Sequence, residues 1–184
     1  MELSYINKHA EIVDRCVQGD QKAFFEIYKL YSKAMFNICY RILGEQEVAE
    51  DVLQEAFVNA FQHIRSYQRK ASFGAWLKKI VVNKAISHVR KQQLEMVELD
   101  DGMEIKHEDD VDDIDLIMKV DTIREAIQKL PNGFRVVFSL YLLEGYDHKE
   151  ISEILGISES TSKSQYNRAK KKLKEILREE VYYG

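Results

Sequence analysis

The sequence predicts an all-α protein of two small helical domains, an N-terminal helical bundle and a C-terminal four-helix domain with a helix-turn-helix, joined by an acidic linker. Three observations support this expectation. The chain has one proline, Pro131, and eight glycines in 184 residues, so little interrupts long helical runs. Apolar residues recur every three or four positions and show no sustained strand-like alternation. The charge is divided: residues 95–115 hold eleven Asp and Glu against the single Lys106, a local charge of −10, which leaves +6 on the rest of a chain of net charge −4.

Residues 1–93 divide at Gly19, at Gly44 and at the RKASFG stretch into four helical segments. In the third, EQEVAEDVLQEAFVNAFQHI, the residues Val48, Val52, Leu53, Ala56, Phe57, Ala60, Phe61 and Ile64 share one broad apolar face. Asp51, Gln54, Glu55 and Asn59 fall on the opposite, polar face. The fourth segment, SFGAWLKKIVVNKAISHVRKQQ, mixes rings with cations, and residues 69–91 carry seven Lys and Arg and no acid. A one-signed cluster of this kind fits a polyanion, and interleaved rings suit unpaired bases, which stack on aromatic side chains at about 1–3 kcal/mol each. Trp76 fits a core position equally well, and the preceding loop, Tyr67 to Phe73, is a candidate for holding a flipped base.

Residues 94–115 form the acidic linker, expected to be a flexible tether because its like charges repel. A sharper reading is that it imitates nucleic-acid phosphates and shields a basic surface. Residues 116–184 contain the second domain. Ile123, Ile127 and Leu130 recur at helical spacing, PNG breaks the chain, and Val136, Val137, Leu140, Tyr141 and Leu143 begin another apolar face. Asp147 and Glu150 are placed to form a capping box, Gly156 to end that helix, and Ser158 to cap the next. This is the helix-turn-helix pattern, whose second helix enters the major groove while flanking cations meet phosphates. Seven Lys and Arg against the single Glu175 in residues 163–178 supply those cations.

Cys16 and Cys39 lie in apolar helical contexts without metal-ligand spacing, so free thiols in a reducing cytoplasm are expected, with no metal and no cofactor. The N-terminus MELSYINKHAEIVDR lacks an apolar leader, and no apolar run reaches the ~20 residues of a membrane span. A soluble cytoplasmic protein is the expectation.

The segments EDVLQEAFVNAF, FGAWLKKIVVNKAISHVRK and LPNGFRVVFSLYLLEGYDHKEISEILGISESTSKSQYNRAKKKLKEIL together resemble a bacterial sigma factor of the extracytoplasmic-function class of the sigma-70 family. The likeness covers nearly all the chain outside the acidic linker. It implies a non-enzymatic transcription initiation factor that binds core RNA polymerase and directs it to promoters. By that resemblance Asp51, Gln54, Glu55 and Asn59 dock on the clamp helices of the largest polymerase subunit. Tyr67, Arg69, Lys70, Ser72, Phe73, Trp76, Lys79, Asn83, Lys84, Ser87, Arg90 and Lys91 read and melt the minus-ten element. Ser160, Thr161, Lys163, Ser164, Asn167, Arg168 and Lys171 read the minus-thirty-five element. An anti-sigma factor is an implied partner. Ser162 stands where the family commonly has a buried Val, and Gln165 where a second basic residue is common.

Two other classes compete. A stand-alone helix-turn-helix regulator would bind duplex DNA without polymerase and needs no ring-and-cation helix. A metal-dependent nuclease would use Asp51 and Glu55, one turn apart, with His63 nearby, but no second carboxylate-histidine set accompanies them.

Overall fold

The computed structural model describes the backbone of residues 2–96 and 120–183 and the side chains of residues 9–91 and 120–179. Most of the expected acidic linker therefore lies outside the described residues. All regular structure among the described residues is helical: α1 Glu2–Val17, α2 Gln21–Leu43, α3 Gln46–Gln62, α4 Phe73–Met96, α5 Val120–Gln128, α6 Asn132–Phe138, α7 His148–Leu155 and α8 Glu159–Tyr183.

The N-terminal boundaries follow local chemistry. Asp20 caps α2 by accepting from the Lys22 and Ala23 amides at 2.8 and 3.4 Å. Arg15 on α1 holds the same carboxylate at 2.7 Å and reaches Glu26 at 3.1 Å, which fixes the α1–α2 corner. Gly44 ends α2 in the left-handed region at φ +83°. The apolar stripe of α3 buries Val52, Leu53, Ala56 and Phe57 against α2 and α4, and α4 returns Leu77, Val81, Val82 and Ile86. Each of these side chains larger than Ala56 contributes about 1.5–3 kcal/mol of burial free energy. Burial also raises the thiol pKa of Cys16 to about 11 and of Cys39 to about 12, which leaves both protonated and unreactive.

In the C-terminal half, α6 continues as a π-helical turn over Ser139–Leu143, where the Glu144 amide donates to the Ser139 carbonyl at 3.0 Å. Ala126, Ile127, Leu130 and Phe138 pack with Ala169, Ile176 and Leu177 of α8 into a small core of their own. The opposite side of this unit, Val136, Val137, Leu140 and Ile151, joins the N-terminal core, so the two halves are packed together.

Polar contacts border that apolar seam. The Glu144 carboxylate, 6% exposed, receives the Arg41 guanidinium, while Lys78 Nζ donates to the Glu144 carbonyl at 2.9 Å. Arg135 is 5% exposed and spends its donors on carbonyls of Arg41 (3.2 Å), Gln128 (3.3 Å) and Leu130 (3.3 Å) and on Asn132 Oδ1 at 2.9 Å. Its burial pulls the guanidinium pKa below its ordinary value, and the carbonyl ring compensates the lost water. Gly44 makes the approach possible: a Cβ there would stand 2.4 Å from Arg135 Nη2.

Candidate nucleic-acid interface

Three surfaces carry the residues singled out in the sequence. The first is the polar face of α3. Asp51, Gln54 and Glu55 are exposed and Asn59 half-buried, and with Val58, Gln62 and Lys84 they line a shallow cleft of about 500 Å³. Lys84 belongs to this cleft, since its Nζ lies 3.1 Å from Glu55 Oε2. Val58 sits in the middle at 55% exposure. It follows Phe57 directly, so the α3 pattern alone already puts it off the core face. His63 does not approach Asp51 and Glu55 to form a metal set; its Nδ1 meets the Asn59 carbonyl at 2.9 Å.

The second surface is the start of α4 with the loop before it. Tyr67, Phe73 and Trp76 form a ring triangle with centroid separations of 5.4, 5.5 and 5.4 Å. Phe73 is buried and serves as the floor, while Tyr67 and Trp76 are half-buried and keep a face toward solvent. Beside them is a concavity of about 280 Å³, rimmed by Arg69, Lys70 and Lys79. The loop is held in shape by the Tyr67 hydroxyl, which donates to the Ala71 carbonyl at 2.7 Å. Ser72 accepts the Ala75 amide at 3.2 Å and so acts as a cap for α4. Asn83 and Ser87 lie exposed further along α4, Ser87 donating to the Asn83 carbonyl at 2.8 Å, and Lys91 is exposed beyond them. Arg90 is drawn away: its guanidinium donates to the Ile154 carbonyl at the end of α7.

The third surface is built on α7 and α8. The capping box forms as the sequence predicts, with the Glu150 amide donating to Asp147 at 2.7 Å and the Asp147 amide to Glu150 at 2.9 Å. Gly156 turns the chain at φ +69°, and Ser158 Oγ accepts the Thr161 amide at 3.0 Å. Along α8, Ser160, Lys163, Asn167 and Lys171 are exposed, and Thr161, Ser164 and Arg168 half-buried. Lys163 also pairs with Glu159 at 2.7 Å, one turn back.

Ser162 is fully buried beneath these residues, and its Oγ lies 2.9 Å from His148 Nδ1. The imidazole stacks on Tyr141 at 4.3 Å and meets Tyr166 edge-on at 5.8 Å. Desolvation, followed by the charge of Lys163, holds the His148 pKa below its ordinary value. The polar Ser in an otherwise apolar position therefore has a partner on the supporting helix.

The chain is similar to known proteins in sequence and fold. A family model described as Sigma-70 region 2 matches residues 27–95, and one described as Sigma-70, region 4, matches residues 121–173. The ECF RNA polymerase sigma factor SigW of Bacillus subtilis is 32% identical over 173 residues, 88% of this chain and 92% of the relative. The ECF RNA polymerase sigma factor SigM of the same organism is 30% identical over 152 residues, 82% and 93% of the two chains. In fold, the chain is similar to the sigma factor RpoE solved with the anti-sigma factor NepR from Bartonella quintana, with a TM-score of 0.55 and 24% identity over 85% of this chain and 98% of that one. CnrH, solved with the cytosolic domain of CnrY, has a TM-score of 0.52 and 22% identity, covering 91% and 95%.

Proposed function

The chain belongs to the extracytoplasmic-function class of RNA polymerase sigma factors, and from that premise we propose how its three surfaces divide the work of transcription initiation. The chain is a non-enzymatic factor that binds core RNA polymerase and gives it promoter specificity. The α3 cleft, with Asp51, Gln54, Glu55 and Asn59 around the exposed Val58, docks on the clamp helices of the largest polymerase subunit. The Tyr67–Trp76 concavity and the cations near it take unpaired bases of the minus-ten element, the rings by stacking and Arg69, Lys70 and Lys79 by holding the backbone. Exposed residues of α8 enter the major groove at the minus-thirty-five element, with Lys163 and Lys171 on phosphates. Residues 1–93 and 116–184 are then the two functional domains, and residues 94–115 the connector.

The observation that carries this reading is the ring concavity. A duplex-only regulator has no use for half-exposed stacking rings between cations, whereas promoter melting requires them. The chain acts in the cytoplasm, with an anti-sigma factor as a further partner; the sigma factor RpoE, similar in fold, was solved with the anti-sigma factor NepR. No described helix is long and apolar enough to cross a membrane.

Spacing adds a requirement. The two elements lie about 25 base pairs apart, roughly 85 Å of duplex at 3.4 Å per pair. A compact chain of this length has a radius of gyration of about 16 Å, so the two halves must separate on a promoter. The test is a pair of variants assayed with core polymerase. Asp51→Arg is expected to abolish core binding, and Trp76→Ala to keep core binding but lose open-complex formation. Retained core binding by the first, or normal open complexes with the second, contradicts the assignment.

A further inference from the structure

Arg69 differs from the other cations of the ring concavity in its backbone. Among the described residues it is the one non-glycine residue at positive φ, +58°, a conformation that a residue with a Cβ disfavours. The loop's own bonds do not engage its side chain: the Tyr67 hydroxyl bridges to Ala71, and Ser72 caps α4. The Arg69 guanidinium instead reaches the carboxylate of Asp14 on α1, 55 positions earlier in the chain. The region 2 family match begins only at residue 27, so α1 lies before it.

Two features give this pair a different character from its neighbour on α1. Arg15 is held by Asp20 and Glu26 and fixes the α1–α2 corner. The Arg69 and Asp14 side chains are 53% and 48% exposed, so water and other anions reach both. The concavity rim itself carries Arg69, Lys70 and Lys79 and no carboxylate. Asp14 thus presents an anion to the guanidinium that a strand phosphate would also seek.

We propose that Asp14 is an internal phosphate surrogate for the strand-capture loop, an inference that rests on the concavity binding unpaired promoter DNA. In the free protein the carboxylate occupies the Arg69 guanidinium beside the concavity. When the strand enters, the guanidinium passes from Asp14 to a backbone phosphate. Every strand must displace the same carboxylate, so Asp14 lowers affinity uniformly and raises the threshold for weak promoters. A phosphate contact carries no base information, so Asp14 alters stringency and leaves base preference unchanged.

The test uses holoenzyme assembled from core polymerase and the full chain, with a labelled 20-nucleotide single strand of random sequence followed by fluorescence anisotropy and core polymerase alone as background. Asp14→Asn is expected to tighten strand binding by about two- to five-fold, the range an exposed ion pair allows. In an Arg69→Ala background the same substitution is expected to change nothing, because Asp14 acts through Arg69. Unchanged or weaker binding by Asp14→Asn overturns the proposal. So does a gain that persists without Arg69, which would assign the effect to general charge. Asp14→Ser provides the same comparison should the Asn variant fail to assemble. Trp76→Ala separates the two levels: if it binds the strand like the wild type, the capture site and the proposal fall together; if it loses binding while Asp14→Asn has no effect, only the proposal falls.

Discussion

Ser162 shows how one side chain's meaning depends on its partner. It occupies an apolar position yet is satisfied by His148 Nδ1 at 2.9 Å. His148 is surrounded by Tyr141, Tyr166, Asp147, Glu159 and Lys163, and its folded pKa lies below the ordinary value through desolvation. The sign follows from linkage. Above the unfolded pKa of about 6.5 the imidazole is neutral in both states and no stability is lost; as pH falls from there toward the lowered folded value, the unfolded chain takes up a proton that the folded chain resists. Thermal melts between pH 7.5 and about 5 are expected to show a fall in midpoint that is shallower in His148→Gln, and equal slopes would count against a neutral, structurally engaged imidazole. Lys84 is a parallel case at the α3 cleft, where it pairs with Glu55. Lys84→Ala is expected to weaken core polymerase binding more than strand binding, and the reverse order in the two assays would return Lys84 to the DNA surface.

At the scale of elements, the helix boundaries were legible because they rest on local chemistry. Gly19, Gly44, PNG and Gly156 mark breaks, and the Asp147–Glu150 box is a four-residue signature. Gly44 carries a second duty that no local pattern shows, admitting the Arg135 guanidinium from 91 positions away. Gly44→Ala is expected to cost roughly 2–4 kcal/mol in denaturant unfolding, from left-handed strain plus crowding of Arg135, and a cost near zero would show that the close approach is not maintained. Asp147→Ala is expected to lose about 1 kcal/mol, the worth of a helix cap. The π-helical turn at Ser139–Leu143 was not legible, because its apolar residues also suit an ordinary helical face. Tyr141 and Leu143, expected on the apolar face, are 37% and 42% exposed, and Leu142 between them is 55% exposed.

The whole molecule adds what the sequence left open, the packing of its two halves. Val136, Val137 and Leu140 read as core of their own domain, which is also what they would look like if they faced the other one. The polar bonds across the seam, Arg41 and Lys78 on Glu144, link positions 103 and 66 residues apart and leave no local pattern. Glu144→Ala removes the carboxylate that ties Arg41 of the N-terminal half to the C-terminal half, while the Lys78 bond to the Glu144 backbone carbonyl is kept. Glu144→Ala is therefore expected to raise the radius of gyration in small-angle scattering while helicity is kept; an unchanged radius would show that the apolar seam alone holds the halves together. Residues 97–115 of the acidic connector lie outside the described residues. The central claim, that this chain directs core polymerase to promoters through two separated readers, is tested most directly by run-off transcription on fragments of the source genome with bacterial core polymerase, with and without the protein. Discrete start sites that need the protein, with two shared upstream sequence blocks, are the predicted result. An absence of protein-dependent starts, together with no binding to core polymerase, would contradict it.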